Sequence, residues 1–432
     1  PIIVGKSAPT STAKDTIARS NGDSKHQNTG PQKTHPPIIA FSHLGWDWVW
    51  QRPQQYLSRL AKKHRVLFVE SRRSDQAETS HHLYTPEGHP TITVFQIHFP
   101  ATKWDDHAFI DRERRRILLK VLGDELDGAF ESPILWFYDP MTVESAIGHL
   151  DEQLIVYDCM DELSQFKGAP AALVAREQTL VRTADVVFCG GRKMREKRLP
   201  LNANTHFFGT GVDCAHFGAA LNPALPVAAE IAALPGPVLG YFGVVDERID
   251  YDLLARLADT REDWSVVMVG PAIKVDPATF PQRKNLHWLG GRQYADLPAI
   301  TKGFDVCLMP FALNSATEYI NPTKALEYMA AGKPVVSTSL AEVRSNFRDV
   351  ARIGESHDEF IKLCQSEAAS PSQARIKKGL ALAAANTWES NLARMEALMA
   401  EAINVRNLEA AHARTHTSAA AVSSPINALS YV

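Results

Sequence analysis

Short apolar runs alternate with amphipathic segments in two separate sets, and this alternation constrains the fold more than any other feature of the chain. Runs at Ile38–Ser42, Val66–Glu70, Thr91–His98, Ile134–Tyr138, Leu154–Asp158 and Val186–Cys189 read as strands, with helices between them such as Arg52–Lys63 and Ala171–Thr183. The stretch Gly211 to Pro237 carries four prolines and no long strand. The alternation then restarts, with strands at Val238–Phe242, Ser265–Val269, Leu286–Trp288, Val306–Met309 and Pro334–Ser337 and helices near Tyr251–Ala258, Ala295–Lys302 and Asn321–Ala331. Strands separated by helices imply a parallel sheet covered on both faces. Two such sets predict two doubly wound, Rossmann-like α/β domains facing a central cleft. In such sheets ligands sit beyond the carboxyl ends of the strands, so the loops that follow strands carry the functional reading.

The predicted organisation is a disordered leader over 1–35, rich in Ser, Thr, Lys and Asn; an N-terminal domain over 36–210; a linker over 211–236; and a C-terminal domain over 237–385. A helix over 386–409, crossing back to the N-terminal domain, and a flexible tail over 410–432 complete it. At 432 residues the chain suits two domains with tails. The 45% apolar and 22% charged content is that of a water-soluble protein, and no apolar run reaches the roughly 18 residues of a membrane span. Five cysteines, Cys159, Cys189, Cys214, Cys307 and Cys364, lie far apart and read as reduced thiols of a cytoplasmic protein. A net charge of −3 argues against nucleic acid as a partner. Two basic clusters, Arg112 to Lys120 and Arg192 to Arg198, read first as solvated helix faces. A second reading is peripheral contact with anionic lipid at the inner face of a membrane.

The sharpest motif is Asn321-Pro322-Thr323-Lys324-Ala325-Leu326-Glu327, running on to Gly332 and the strand at Val335. Asn321 is a candidate helix cap with Pro322 in the first turn, and a helix that starts after a strand offers free N–H groups to phosphate. Lys324 adds a point charge for a diphosphate. Glu327, one turn on, is placed to reach a hydroxyl pair such as a ribose diol. It stands between Leu326 and Met329, where a carboxylate needs a partner.

Three other post-strand loops add candidates. Gly243 ends a glycine turn, and Arg248 follows in a loop with Asp246. Gly270 closes the next strand, and Gly291-Arg292-Gln293-Tyr294 follows the one after. In the first half, His43-Leu44-Gly45-Trp46-Asp47-Trp48-Val49-Trp50-Gln51-Arg52 puts three indoles within five positions. Aromatic faces suit sugar rings, Asp47 and Arg52 suit hydroxyls, and Gly45 allows close approach. Asp158 and Asp161 follow a further strand.

The Lys324–Glu327 segment resembles the Pro-x-Lys-x-x-Glu signature helix of family 4 retaining glycosyltransferases. The first-half string resembles the Trp-Asp-x-x-Trp-Gln-Arg-Pro loop of an exopolysaccharide and teichuronic-acid-type subgroup. The resemblance implies a GT-B fold and a nucleotide-sugar donor, with a UDP-sugar first among them. It places Glu327 on the ribose, and Asn321, Thr323, Lys324 and Arg248 on the diphosphate. Gly243, Gly270, Gly291, Arg292 and Tyr294 then line the donor site, and His43, Gly45, Trp46, Asp47 and Arg52 the acceptor site. It implies Asp161, Arg248 and Lys324 as the catalytic set, retention at the anomeric carbon, a glycan or lipid-linked acceptor, and no metal or other cofactor. The family's first Glu falls on Tyr319 here, with Glu318 one place off, and its His-Asp pair reads Met160-Asp161. A non-hydrolysing nucleotide-sugar 2-epimerase is the rival among enzymes. A catalytically silent nucleotide- or glycan-binding subunit is the rival from another class.

Overall fold

The computed structural model describes residues 35–48, 50–165, 168–314, 317, 320 and 322–422. The leader expected over 1–35 thus lies, apart from His35, outside the described residues, as do Asn321, Glu318 and Tyr319.

Two sheets form. The first contains β1 (Ile38–Ser42), β2 (Val66–Ser74), β3 (Ser80–Tyr84), β4 (Ile92–Pro100), β5 (Ile134–Phe137), β6 (Leu154–Cys159), β7 (Val186–Cys189) and β8 (Thr205–Phe207), in the order β3-β4-β2-β1-β5-β6-β7-β8. Every pairing is parallel except β3 with β4. The second contains β9 (Val238–Phe242), β10 (Ser265–Val269), β11 (Leu286–Gly290), β12 (Val306–Met309), β13 (Val335–Thr338) and β14 (Arg352–Gly354), all parallel, in the order β11-β10-β9-β12-β13-β14. The chain is therefore a mixed α/β protein of two Rossmann-like domains, as the alternating pattern requires.

The central strands are buried along their whole length, as in Ile38–Ser42 and Val306–Met309, because helices cover both faces of each sheet. Two cores lie on opposite faces of the first sheet. One gathers Ile39, Phe41, Leu67 and Leu135, and the other Ile38, Ala40, Phe68 and Trp136. The period-two alternation of strand side chains divides them. The long helix Trp388–Val422 lays Trp388, Leu392, Met395 and Met399 onto the second of these cores, although it follows the C-terminal domain in sequence. The helix runs on to Val422, past residue 410 where the tail was expected to begin, and residues 423–432 of that tail lie outside the described residues. Alanine is the best helix former, and that segment is rich in it.

Two seams hold the domains together. Val212 donates to the carbonyl of Asn386 at 3.0 Å, and a Cβ on Gly211 would fall 2.6 Å from the Trp388 ring. On the other side, Glu342 accepts from the backbone of Lys193 at 3.2 Å while Arg192 donates to Asn346 at 2.6 Å. The basic clusters are partly spent in this packing. Arg114 and Arg198 are buried, and Arg198 is tied to Glu162 and Glu177. Among the described residues no helix is long and apolar enough to cross a membrane.

Candidate active site in the interdomain cleft

The carboxyl ends of both sheets open onto one cleft of about 1450 Å³. On its C-terminal wall the helix Lys324–Ala330 begins three residues later than expected, with Thr323 at the N-cap and Pro322 before it. Lys324 is nearly buried. Its Nζ donates to Thr323 Oγ1 at 3.1 Å and pairs with Glu327 at 3.3 Å. Glu327 therefore does not point into bulk solvent: its side chain is only 14% exposed. Its buried Oε2 is the oxygen that faces the Lys324 ammonium at 3.3 Å, and it takes no hydrogen bond from another group among the described residues. An acceptor left underused at the edge of a cleft is costly unless a ligand donor completes it.

Gly243 and Gly270 shape the wall beside this pair. Gly243 sits at φ +146°, where a Cβ would lie 2.8 Å from Lys324 Cε and 2.6 Å from the Tyr241 hydroxyl. Gly270, at φ +153°, brings its own backbone against Gly243, whose carbonyl oxygen would stand 1.6 Å from an added Cβ. Only glycine meets both demands. Arg248 lines the cleft with its Nε and Nη2 on Asp246, at 2.8 and 2.5 Å, and among the described residues its Nη1 has no hydrogen-bond partner.

Tyr294 also lines the cleft, stacked on His216 with ring centroids 3.9 Å apart. Gly291 and Arg292 do not. Arg292 turns outward to Glu230, at 2.8 and 2.5 Å, and the wall passes from Pro271 to Tyr294 instead. The resemblance assigns the base contact of these two residues to their backbone groups, which the outward turn of the Arg292 side chain does not address. The side chain's partner, Glu230, lies in the linker, far away in sequence.

On the N-terminal wall His43 follows β1 and Asp161 follows β6, and both face the cleft. His43 Nδ1 lies 3.1 Å from the Tyr138 carbonyl. A proton on Nδ1 would leave Nε2 as the nitrogen free to accept. Burial pushes the Asp161 carboxyl above its ordinary range, against the opposing charges of His43, Arg248 and Arg52. A carboxylate from one wall and a guanidinium from the other thus act on the same space.

The aromatic loop divides differently from expectation. Trp46 is 4% exposed and packs edge-on against Phe68, so it belongs to the core and not to an acceptor surface. Gly45 packs against Arg72, and Asp47 bonds the Tyr84 hydroxyl at 2.5 Å; neither lines the cleft. The cleft is lined instead by Trp48 and Trp50, which are 67% and 42% exposed. Helix α1 (Arg52–Leu60) fixes this division: Gln54 accepts from Gln51 N at 3.0 Å and donates to the carbonyls of Gly45 and Trp46.

Arg52 reaches the cleft edge, but its donors are engaged. Nε bonds Asp158 at 2.9 Å, and Nη1 bonds the carbonyls of Phe208 and Gly209 at 2.8 and 3.1 Å. It clamps the loop to the end of β6 and to the start of the linker, which corrects its expected role of bonding acceptor hydroxyls. Sequence reasoning missed Asp139 and Met141 after β5, Gly190 after β7, and Asp213 and Trp388, all of which line the cleft. The rule that ligands gather beyond strand ends would have reached the first three.

Three comparisons bear on this arrangement. Residues 236–362 match the family described as Glycosyl transferases group 1. The chain is 27% identical over 244 residues to the "Putative teichuronic acid biosynthesis glycosyltransferase TuaH" of Bacillus subtilis (strain 168), covering 51% of this chain and 60% of that protein. The alignment therefore spans about three-fifths of that relative. Among solved structures, the sucrose-phosphate synthase of Thermosynechococcus elongatus is similar with a TM-score of 0.60 at 14% identity, covering 87% of this chain and all of that one. The UDP-forming alpha,alpha-trehalose-phosphate synthase of Burkholderia xenovorans in complex with glucose-6-phosphate gives 0.63 at 11%, covering 84% of this chain and all of that one. The E. coli trehalose-6-phosphate protein bound with UDP-2-fluoro glucose gives 0.59 at 13%, covering 84% of this chain and 99% of that one. Identities this low speak to the GT-B-like fold alone. Residues 236–362 thus resemble the group 1 glycosyl transferases, within a chain of two-domain, GT-B-like fold.

Proposed function

We propose that this chain is a glycosyltransferase that moves a sugar from a nucleoside diphosphate donor, a UDP-sugar, to a glycan or lipid-linked acceptor in cell-surface polysaccharide synthesis. The observation that carries this reading is the Lys324–Glu327 pair on the cleft wall within residues 236–362, with a buried carboxylate oxygen whose partner at 3.3 Å is the Lys324 ammonium. In this reading Glu327 accepts from the ribose diol. Lys324 and the Nη1 of Arg248 meet the diphosphate.

The reaction breaks the bond from the anomeric carbon to the diphosphate oxygen and forms one to the acceptor oxygen. Negative charge grows on the departing diphosphate, so fixed cations already in place lower the barrier. We assign that work to Arg248 and Lys324, without a metal. Asp161 and His43, on the opposite wall, hold the acceptor hydroxyl and the reacting sugar. Retention at the anomeric carbon is the stereochemical outcome we assign, in keeping with the signature helix. Function at the inner face of a membrane belongs to the same reading.

The test is a calorimetric titration of the full chain with UDP, GDP and ADP, alongside Glu327→Ala. Binding of UDP that weakens on substitution supports the reading, and no binding by any of the three overturns it.

A further inference from the structure

The cleft is larger than a donor needs. Its 1450 Å³ exceeds the roughly 300–1,000 Å³ of small-molecule sites. Along the N-terminal wall it touches Ser71 on β2, His43 after β1, Asp139 after β5, Asp161 after β6 and Gly190 after β7. In the sheet order β2-β1-β5-β6-β7 these strands stand side by side. Four spacings of about 4.8 Å give a wall of about 19 Å. The cations assigned to the diphosphate act at the Asp161 end, since Arg248 is among the charges felt by that carboxyl. The β2 end is left over.

Its chemistry is specific. Trp104 and His107 stand at the start of α2 (His107–Asp124), and Asp111 and Arg114 lie one and two turns further along it. Arg176 holds both oxygens of Asp111, at 3.0 and 2.5 Å. Arg114, 4% exposed, is left with long contacts: 3.3 Å to Asp111 and to Ser145, and 3.4 Å to Ser71. Its Nε has no partner. Two guanidinium groups, Arg114 and Arg176, face two carboxylates, Asp111 and Asp139, and a third, Arg73, lies over one face of the Trp104 ring, 4.9 Å from its centroid. Fixed donors and acceptors beside the other face of an indole match the vicinal hydroxyls and apolar face of a pyranose. The exposed indoles of Trp48 and Trp50 line the same cleft.

We propose that the acceptor is an oligosaccharide, at least a disaccharide, whose far end occupies a second subsite formed by Trp104, His107 and Arg114 at the β2 end of the cleft. This rests on the glycosyl-transfer reading above and adds the acceptor class to it. A sugar phosphate of one ring would leave that end empty.

The experiment is binding of the full chain to an array of bacterial surface glycans graded from mono- to hexasaccharide, with vesicles carrying a polyprenyl phosphate as a further probe. Trp104→Ala and His107→Ala are run in parallel. We expect affinity to rise about tenfold from mono- to trisaccharide, and either substitution to remove that gain while leaving monosaccharide binding unchanged. Affinity independent of length overturns the proposal. So does equal weakening at every length, absence of binding to any glycan, or preference for the polyprenyl phosphate vesicles. Titration of the same preparations with UDP separates the two readings. If UDP still binds, only the second subsite fails; if wild type binds no nucleotide, the glycosyl-transfer reading falls with it.

Discussion

Glu327→Gln removes one charge from the cleft wall and almost no volume. In the free protein Glu327 neutralises Lys324, which is nearly buried, at 3.3 Å. Breaking a buried pair by removing one partner costs about 3–5 kcal/mol when burial is complete. Glu327 retains 14% exposure, so the loss of stability should fall below that range. On the proposed reading the same carboxylate accepts a hydrogen bond from the ribose of the bound donor, and a bond to a charged group is worth about 1.5–3 kcal/mol. At 1.4 kcal/mol per decade, nucleotide affinity should weaken by about one to two decades. Stability and binding are separated by the double variant Lys324→Met/Glu327→Gln. It removes both partners, so the melting temperature recovers towards wild type. Affinity for UDP, read by calorimetry, should fall further, because both the ribose and the phosphate contacts are gone. Recovery of affinity together with stability would show that Glu327 serves only as a structural partner for Lys324, and the donor-site assignment would be refuted.

Three other outcomes follow from the geometry. Gly270→Ala places a Cβ 1.6 Å from the Gly243 carbonyl, so the two turns must part; melting and nucleotide titration should both show a loss, and a variant with wild-type affinity would remove these turns from the donor site. The Asp161 carboxyl ionises above its ordinary range and is needed as the carboxylate, so kcat/KM should fall as pH is lowered through that raised pKa. Asp161→Asn should abolish that acid limb along with most of the rate, and an unchanged pH profile would exclude the residue. Arg52→Leu leaves Asp158, which is fully buried, without its cation and should cost about 3–5 kcal/mol in chemical denaturation, whereas a surface role would cost almost nothing.

Much of the fold is legible in the sequence because parallel strands buried on both faces read as unbroken apolar runs. Ile38–Ser42, Val186–Cys189, Val238–Phe242, Ser265–Val269 and Val306–Met309 have the same limits in sequence and structure. The elements missed lack that signature. β3, Ser80–Tyr84, is a half-exposed edge strand carrying two histidines, while β8 and β14 are three residues each. The pairing of Lys324 with Glu327 on the cleft wall was legible because one helix carries both. The site was not legible where distant parts decide. Nothing local distinguishes Trp46 from Trp48 and Trp50, because a loop has no period to assign faces. Trp46 is claimed by Phe68 on a neighbouring strand. Arg52 and Arg292 read as ligand-facing bases until their partners, Asp158 and Glu230, are brought in by the fold.

The most direct measurement is release of nucleoside diphosphate when the full chain is incubated with UDP-glucose, UDP-N-acetylglucosamine and GDP-mannose, in the presence and absence of EDTA. The account predicts that a UDP-sugar is consumed, that EDTA makes no difference, and that Glu327→Gln slows consumption by about one to two decades at low donor concentration. Binding of UDP without consumption of any donor would contradict it and would leave a nucleotide-binding partner subunit in place of a transferase.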